Sequence, residues 1–162
     1  MIEALAASGR APEIPAEADV YGWLVGSWDL DVVYYLADVR QHGIRGEAHF
    51  GWVLEGRAVQ DVWIMKRAGV VDTYGTTIRI WDPLLGAWRV TWMNPISGRR
   101  DELIGRRIGD DIVQIGSHGD GSHIRWRFLD VTPDSFRWVG DVLEADGETW
   151  KREAEFHAKR RG

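Results

Sequence analysis

The sequence predicts an all-β fold: a single antiparallel up-and-down β-barrel of about ten strands, preceded by a short helical N-terminal segment. Three observations predict it. Ten of the 162 residues are tryptophan and 19 are glycine, a composition that favours extended segments and tight turns over helices. From Trp28 onward the chain breaks into ten segments in which apolar and polar residues alternate with period two. The connectors are short and rich in turn residues, with no helical stretch between them to carry a parallel crossover. Ten such strands make a meander, and closing it removes the edges that would otherwise pair with other chains. An open sandwich is the competing arrangement.

Residues 1–22 read differently from the rest. Ala4 to Ala7 suits a short helical turn that Pro12 and Pro15 bring to an end, and Pro15 to Leu24 suits another leading into Gly26. This segment is expected to act as a lid or plug for a barrel spanning 23–162. The first strand opens at Trp28-Asp29-Leu30-Asp31-Val32. Further strands are expected at Gly46–Leu54, Arg57–Lys66, Thr73–Trp81, Ala87–Met93, Asp101–Arg107, Asp111–Gly116, Ser122–Asp130, Ser135–Leu143 and Thr149–Lys159. Glu55-Gly56, Asp82-Pro83, Gly109-Asp110, Gly119-Asp120-Gly121, Thr132-Pro133-Asp134 and Asp146-Gly147 supply the turns.

The alternation also assigns faces. Ile124, Trp126 and Phe128 share one face and His123, Arg125 and Arg127 the other; Trp88, Val90 and Trp92 oppose Arg89 and Thr91. Aromatic rows are therefore placed inside and charged rows in water. On the third strand Gln60, Val62 and Ile64 are taken as the inner row, which leaves Trp63 and Met65 outside, where the N-terminal segment or a second subunit would cover them. A homodimer follows as an expectation. These phases rest on period two alone, and one bulge inverts them.

Composition excludes several classes of function. Without cysteine there is no disulfide framework, thiolate nucleophile or Cys-ligated metal site. The net charge of −5, from 25 acidic and 20 basic residues, argues against a nucleic-acid surface. No apolar run approaches the roughly 20 residues of a membrane span. Met1 to Leu5 has no basic stretch ahead of an apolar one, so a cytoplasmic location is expected. The Gly116–Gly121 stretch lacks a Lys-Ser/Thr phosphate loop, and no Gly-X-Ser-X-Gly elbow is present.

The run Leu24-Val25-Gly26-Ser27-Trp28 at the start of the first strand resembles the Gly-X-Trp signature of the calycin superfamily, which includes lipocalins and fatty-acid-binding proteins. With Trp81-Asp82-Pro83, Trp88, Trp92-Met93-Asn94-Pro95, Asp146-Gly147-Glu148-Thr149-Trp150 and the terminal Lys159-Arg160-Arg161, residues 23–160 are similar to a bacterial lipocalin-like family of unknown function. The resemblance implies a lipocalin-like barrel and carries over no catalytic residues.

Ten strands enclose more than eight, so the aromatic rows are expected to line a pocket for a small apolar molecule, aromatic or polyketide-like. Tyr34, Phe50, Trp52, Trp92, Trp126 and Trp138 are the expected walls, with Gln60 and Asn94 orienting the ligand. A cofactor-independent cyclase, isomerase or decarboxylase using the same cavity is the alternative, with Tyr34, His49 and Asp61 as candidate acid–base groups. Tyr34, Tyr35 and an Asp61–arginine pair resemble, in part, barrel-fold phenolic acid decarboxylases. Haem bound by His157, as in nitrobindin-like barrels, is the third reading, although His157 shares its face with Lys151, Glu153, Glu155 and Lys159. His118 and His123, flanking a Gly-Asp-Gly hairpin with Asp120, make a loose metal site at best. No cofactor is expected. The arginines neighbour tryptophans on strands and are expected outside, balanced by Asp and Glu; one facing inward would call for a ligand carboxylate.

Overall fold

In the computed structural model, described over residues 5–162, ten antiparallel strands close on themselves. They are β1 (Gly26–Tyr35), β2 (Arg45–Val53), β3 (Ala58–Arg67), β4 (Val70–Asp82), β5 (Ala87–Met93), β6 (Arg100–Ile108), β7 (Asp111–Ser117), β8 (His123–Leu129), β9 (Ser135–Leu143) and β10 (Trp150–Arg160). Each pairs with its neighbours in sequence, and β10 pairs with β1 from Trp28↔Arg160 to Tyr35↔Ala154. The helical content is limited to short 3-10 turns, two of them at Ala16–Ala18 and Gly22–Leu24. The turn expected from Ala4 begins outside the described residues, as do Met1 to Glu3; Ala7 forms a single bridge to Trp52.

At the seam, Arg160 ties β10 to the start of β1. Its guanidinium lies 4.1 Å from the Trp28 ring centroid, donates to the Trp23 and Val25 carbonyls, and reaches the Pro133 carbonyl through Nε. The two ends of the barrel are thus joined by cation–π and charge-assisted contacts as well as by the ladder.

The up-and-down order puts the N-terminal segment and the β2–β3, β4–β5, β6–β7 and β8–β9 turns at one end, and the other connections at the opposite end. The first end is filled. Tyr21, Leu24, Trp28, Trp88, Phe128 and Phe136 are buried there in one apolar cluster. Edge-to-face contacts bind it, with centroids 5.3 Å apart for Tyr21–Trp88 and 4.7 Å for Trp28–Phe136. Each indole N–H finds a backbone carbonyl: Trp88 donates to Ala18, Trp28 to Leu24 and Trp23 to Val20. Tyr21 enters furthest, its hydroxyl donating to Gln114 Oε1 at 3.0 Å. Gly105 makes room for it, because a Cβ there would stand 2.1 Å from the Tyr21 oxygen.

The inner faces of β5 (Trp88, Val90) and β8 (Ile124, Trp126, Phe128) are those the alternation assigned, and on β2 the buried row is Ala48, Phe50 and Trp52. Two strands differ. On β3 the inner residues are Val59, Asp61, Trp63 and Met65, while Gln60 faces outward and donates to Thr76 Oγ1 at 3.1 Å. The outer row carries Val62 and Ile64 and the inner one Val59, Trp63 and Met65, so apolar residues on both faces hide the phase; Asp61 is tolerated inside because Thr77 N–H and Arg79 partner it. Trp63 and Met65 therefore need no cover from a second subunit, and the patch that suggested a homodimer does not exist. On β1 a bulge between Val32 and Tyr34 shifts the register, so that Tyr34 pairs with outward Glu155 and Tyr35 with inward Ala154. The outer arginines are balanced as expected, with Arg125, Arg127 and Arg152 gathered around Asp141.

Replacing Gly105 by Ala is expected to cost about 1–3 kcal/mol, by driving Tyr21 out of its seat. Tyr21→Phe alone should cost about 1 kcal/mol through the lost Gln114 hydrogen bond. Because the phenol oxygen is the atom in the way, the double variant should cost less than the sum, as read by urea denaturation.

Candidate functional site

Toward the open end the barrel holds a cavity of about 170 Å³. Its walls are aromatic and continuous. Trp138 stacks on Phe156 at 5.2 Å and 13°, touches Trp126 at 5.5 Å and Trp63 at 5.9 Å, and Trp126 meets Trp92 edge-on at 6.3 Å. Two strand glycines seat these rings: a Cβ at Gly75 would lie 2.5 Å from Trp92 Nε1, and one at Gly140 2.8 Å from Trp138. A glycine in a strand interior weakens it, and here the loss buys room for an indole.

The polar groups stand at two levels. At the inner end lie Thr77, Arg79 and, behind them, Asp61, with Arg79 Nη1 2.7 Å from Asp61 Oδ2. Tyr21 sits below, and burial pushes its phenol up, so it stays neutral. Toward the mouth His118 is held between two carboxylates, Nδ1 at 2.9 Å from Asp101 Oδ2 and Nε2 at 2.8 Å from Glu153 Oε2. Arg99 lies against Asp101, with Nε 3.3 Å from Oδ1, and Gly119 N–H donates to the same oxygen. His118 follows β7 and Glu153 is on β10, so this bridge spans the mouth over β8 and β9.

Burial alone would lower the His118 pKa. The hydrogen bonds and charges of Asp101 and Glu153 outweigh it and raise the imidazole to about 9. The ring is therefore an imidazolium at neutral pH, and both its N–H groups are already donated. It braces the mouth; it has no free nitrogen with which to take a proton from a ligand.

Of the residues expected in the site, Trp92, Trp126 and Trp138 line the cavity. Asp61 is inside but paired. Phe50 lies deeper, its centroid 5.7 Å from the Arg79 guanidinium, and Trp52 is buried beside Ala7. Tyr34 and Gln60 are displaced to the outer face by the two phase errors. Asn94 is a loop residue whose Oδ1 accepts the Ile96 and Ser97 N–H groups. His49 is on the outer face, 2.9 Å from Ser27 Oγ. His157 is also outside, half exposed and bonded to Glu155, so it cannot reach iron in the cavity. Among the described residues no group of three His, Asp or Glu side chains is arranged to hold a metal ion.

Trp63, Met65, Arg79, Arg99, Asp101 and Glu153 line the cavity without having been expected there, while Tyr35 enters the sequence reading only through the partial resemblance to decarboxylases and His118 only as a loose metal ligand. Arg79 was within reach of the sequence, since it precedes Trp81 by two residues and so shares its face. Glu153 was not. A second register shift, between Arg152 and Ala154, lets it turn inward.

The chain matches no protein-family model and no curated protein. The site thus stands on its own geometry. Among the described residues no helix is long and apolar enough to cross a membrane.

The raised His118 pKa fixes the sign of a pH effect. Its contribution to stability is fully present below about pH 6.5 and is lost as pH rises through about 9. Stability should therefore fall across that window by roughly 3 kcal/mol, the differential interaction carried by the shift. In His118→Gln the protein should be less stable at pH 6, and denaturation midpoints should slope less between pH 6.5 and 9.

Proposed function

We propose that this protein binds a small apolar, aromatic molecule within its barrel, in the manner of a calycin-like carrier. The single observation that carries the reading is the cavity walled by Trp63, Trp92, Trp126, Trp138 and Phe156 and open toward one end. Flat rings offer large contact area at little conformational cost, and a few convergent polar groups beside them are how ligand sites are built. Size narrows the ligand. A cavity of about 150 Å³ accepts benzene, so 170 Å³ suits a single ring better than a polyketide or a porphyrin.

One observation favours a second reading, turnover in the same cavity. Glu153 lines it and is held on only one carboxylate oxygen by His118, which leaves the other for a substrate proton. In that case Glu153→Gln should abolish turnover of a bound substrate by at least two orders of magnitude while leaving its affinity nearly unchanged.

The carrier reading is tested by native mass spectrometry of the protein isolated from its own host. A mass of one small molecule, retained on the folded protein and released on denaturation, is expected. Ala154→Phe, which puts a ring into the cavity from β10, should remove that mass and keep a folded barrel, whereas His49→Ala and His157→Ala should leave it in place. A clean apo mass together with no binding of single-ring aromatic probes would sink the proposal.

A further inference from the structure

Arg79 is the least explained group in the barrel. It is 2% exposed and lines the inner end of the cavity. Its guanidinium carbon lies 5.1 Å from the Tyr21 centroid, 5.7 Å from Phe50 and 5.9 Å from Phe128, so three rings hold it in place. Asp61 balances its charge, and the other oxygen of Asp61 accepts the Thr77 N–H at 2.8 Å. The ion pair is close but poorly directed. Arg79 Nε, Arg79 Nη1 and Asp61 Oδ2 are buried with no hydrogen-bond partner.

A guanidinium offers five N–H groups in a rigid fork, and buried donors left unused are costly. Nε and Nη1 are shut in against Asp61 and the rings, so the donor that can meet a ligand in the cavity is Nη2, which no protein acceptor takes and which is not enclosed in the same way. It calls for an acceptor on the ligand. The charges around the cavity decide what kind. Arg79 is met by Asp61, Arg99 by Asp101 and His118 by Glu153, so three cations stand against three anions. A ligand carboxylate would be a second anion on a guanidinium already neutralised, in a site with no spare positive charge. A carbonyl oxygen accepts the same N–H and leaves the balance intact. The expectation that an inward arginine calls for a ligand carboxylate is thereby reversed by Asp61.

We propose that the cavity selects an uncharged single-ring aromatic carbonyl compound, such as an aryl ketone, aldehyde or amide, whose carbonyl oxygen accepts from Arg79. This rests on the carrier reading above and specifies its ligand class. Asp61, itself held by the Thr77 N–H, and the three rings fix the guanidinium; Trp126, Trp138 and Phe156 receive the ring.

The test is calorimetric titration of the intact protein at pH 7 with acetophenone, ethylbenzene and benzoate, which share a ring and differ at the substituent. Acetophenone should bind roughly tenfold or more tightly than ethylbenzene, the scale of one charge-assisted hydrogen bond, with benzoate weakest. In the paired variant Asp61→Asn, Arg79→Met, which leaves no donor at position 79, the advantage of the ketone should disappear while ethylbenzene affinity is kept. Equal affinity for ketone and hydrocarbon, or tightest binding by benzoate, overturns the assignment and leaves the carrier reading standing. No binding by any of the three overturns both. If the paired variant does not fold, the wild-type ranking still decides.

Discussion

Closing ten strands into one ring fixes the width of the interior, and everything inside answers to that width. An eight-stranded barrel is roughly filled by its own inward side chains; two more strands add circumference without adding residues at the axis. The protein meets the surplus in two ways. At one end a segment from outside the barrel supplies Tyr21 and Leu24 to fill the space between Trp28, Trp88, Phe128 and Phe136. At the other end the surplus is left open, and tryptophans are laid against the walls.

The polar groups fall into place around that division. The layer of Tyr21, Gln114, Arg79 and Asp61 marks where filling stops and space begins. Charges at such depth survive only in pairs, because the cost of an unpaired one exceeds most single contributions to stability. The Asp101–His118–Glu153 bridge applies the same rule at the mouth, where the histidine takes its charge from the two carboxylates it joins.

Much of this was legible in the residues. The turn dipeptides and the period-two runs place all ten strands to within a few residues, because antiparallel strands with one wet face leave a clean pattern. Trp92, Trp126 and Trp138 follow from the same rule. The pattern failed where both faces of a strand are apolar, as on β3, and where a bulge resets the phase, as beside Tyr34 and Glu153. Those are the places that build the site. Local alternation cannot register that Asp61 is welcome inside because Arg79 stands on the next strand, nor that a hairpin histidine at 118 folds back onto a residue 35 positions later. Such pairings are long-range, and period two is a local signal.

The seam between β1 and β10 has a consequence for how the barrel comes into being. Trp28 and Arg160 are near the two ends of the barrel sequence, yet they stack. Until the last strand is available, the growing sheet has an unpaired edge at β1 and another at its newest strand, and Trp28 lacks the Arg160 guanidinium over its ring. Native contacts at this sequence separation form late, since a long loop must be ordered before they repay it. During synthesis the nascent barrel thus presents two sticky edges and a half-built floor until β10 arrives, which makes those final residues the step that turns an aggregation-prone sheet into a sealed ring.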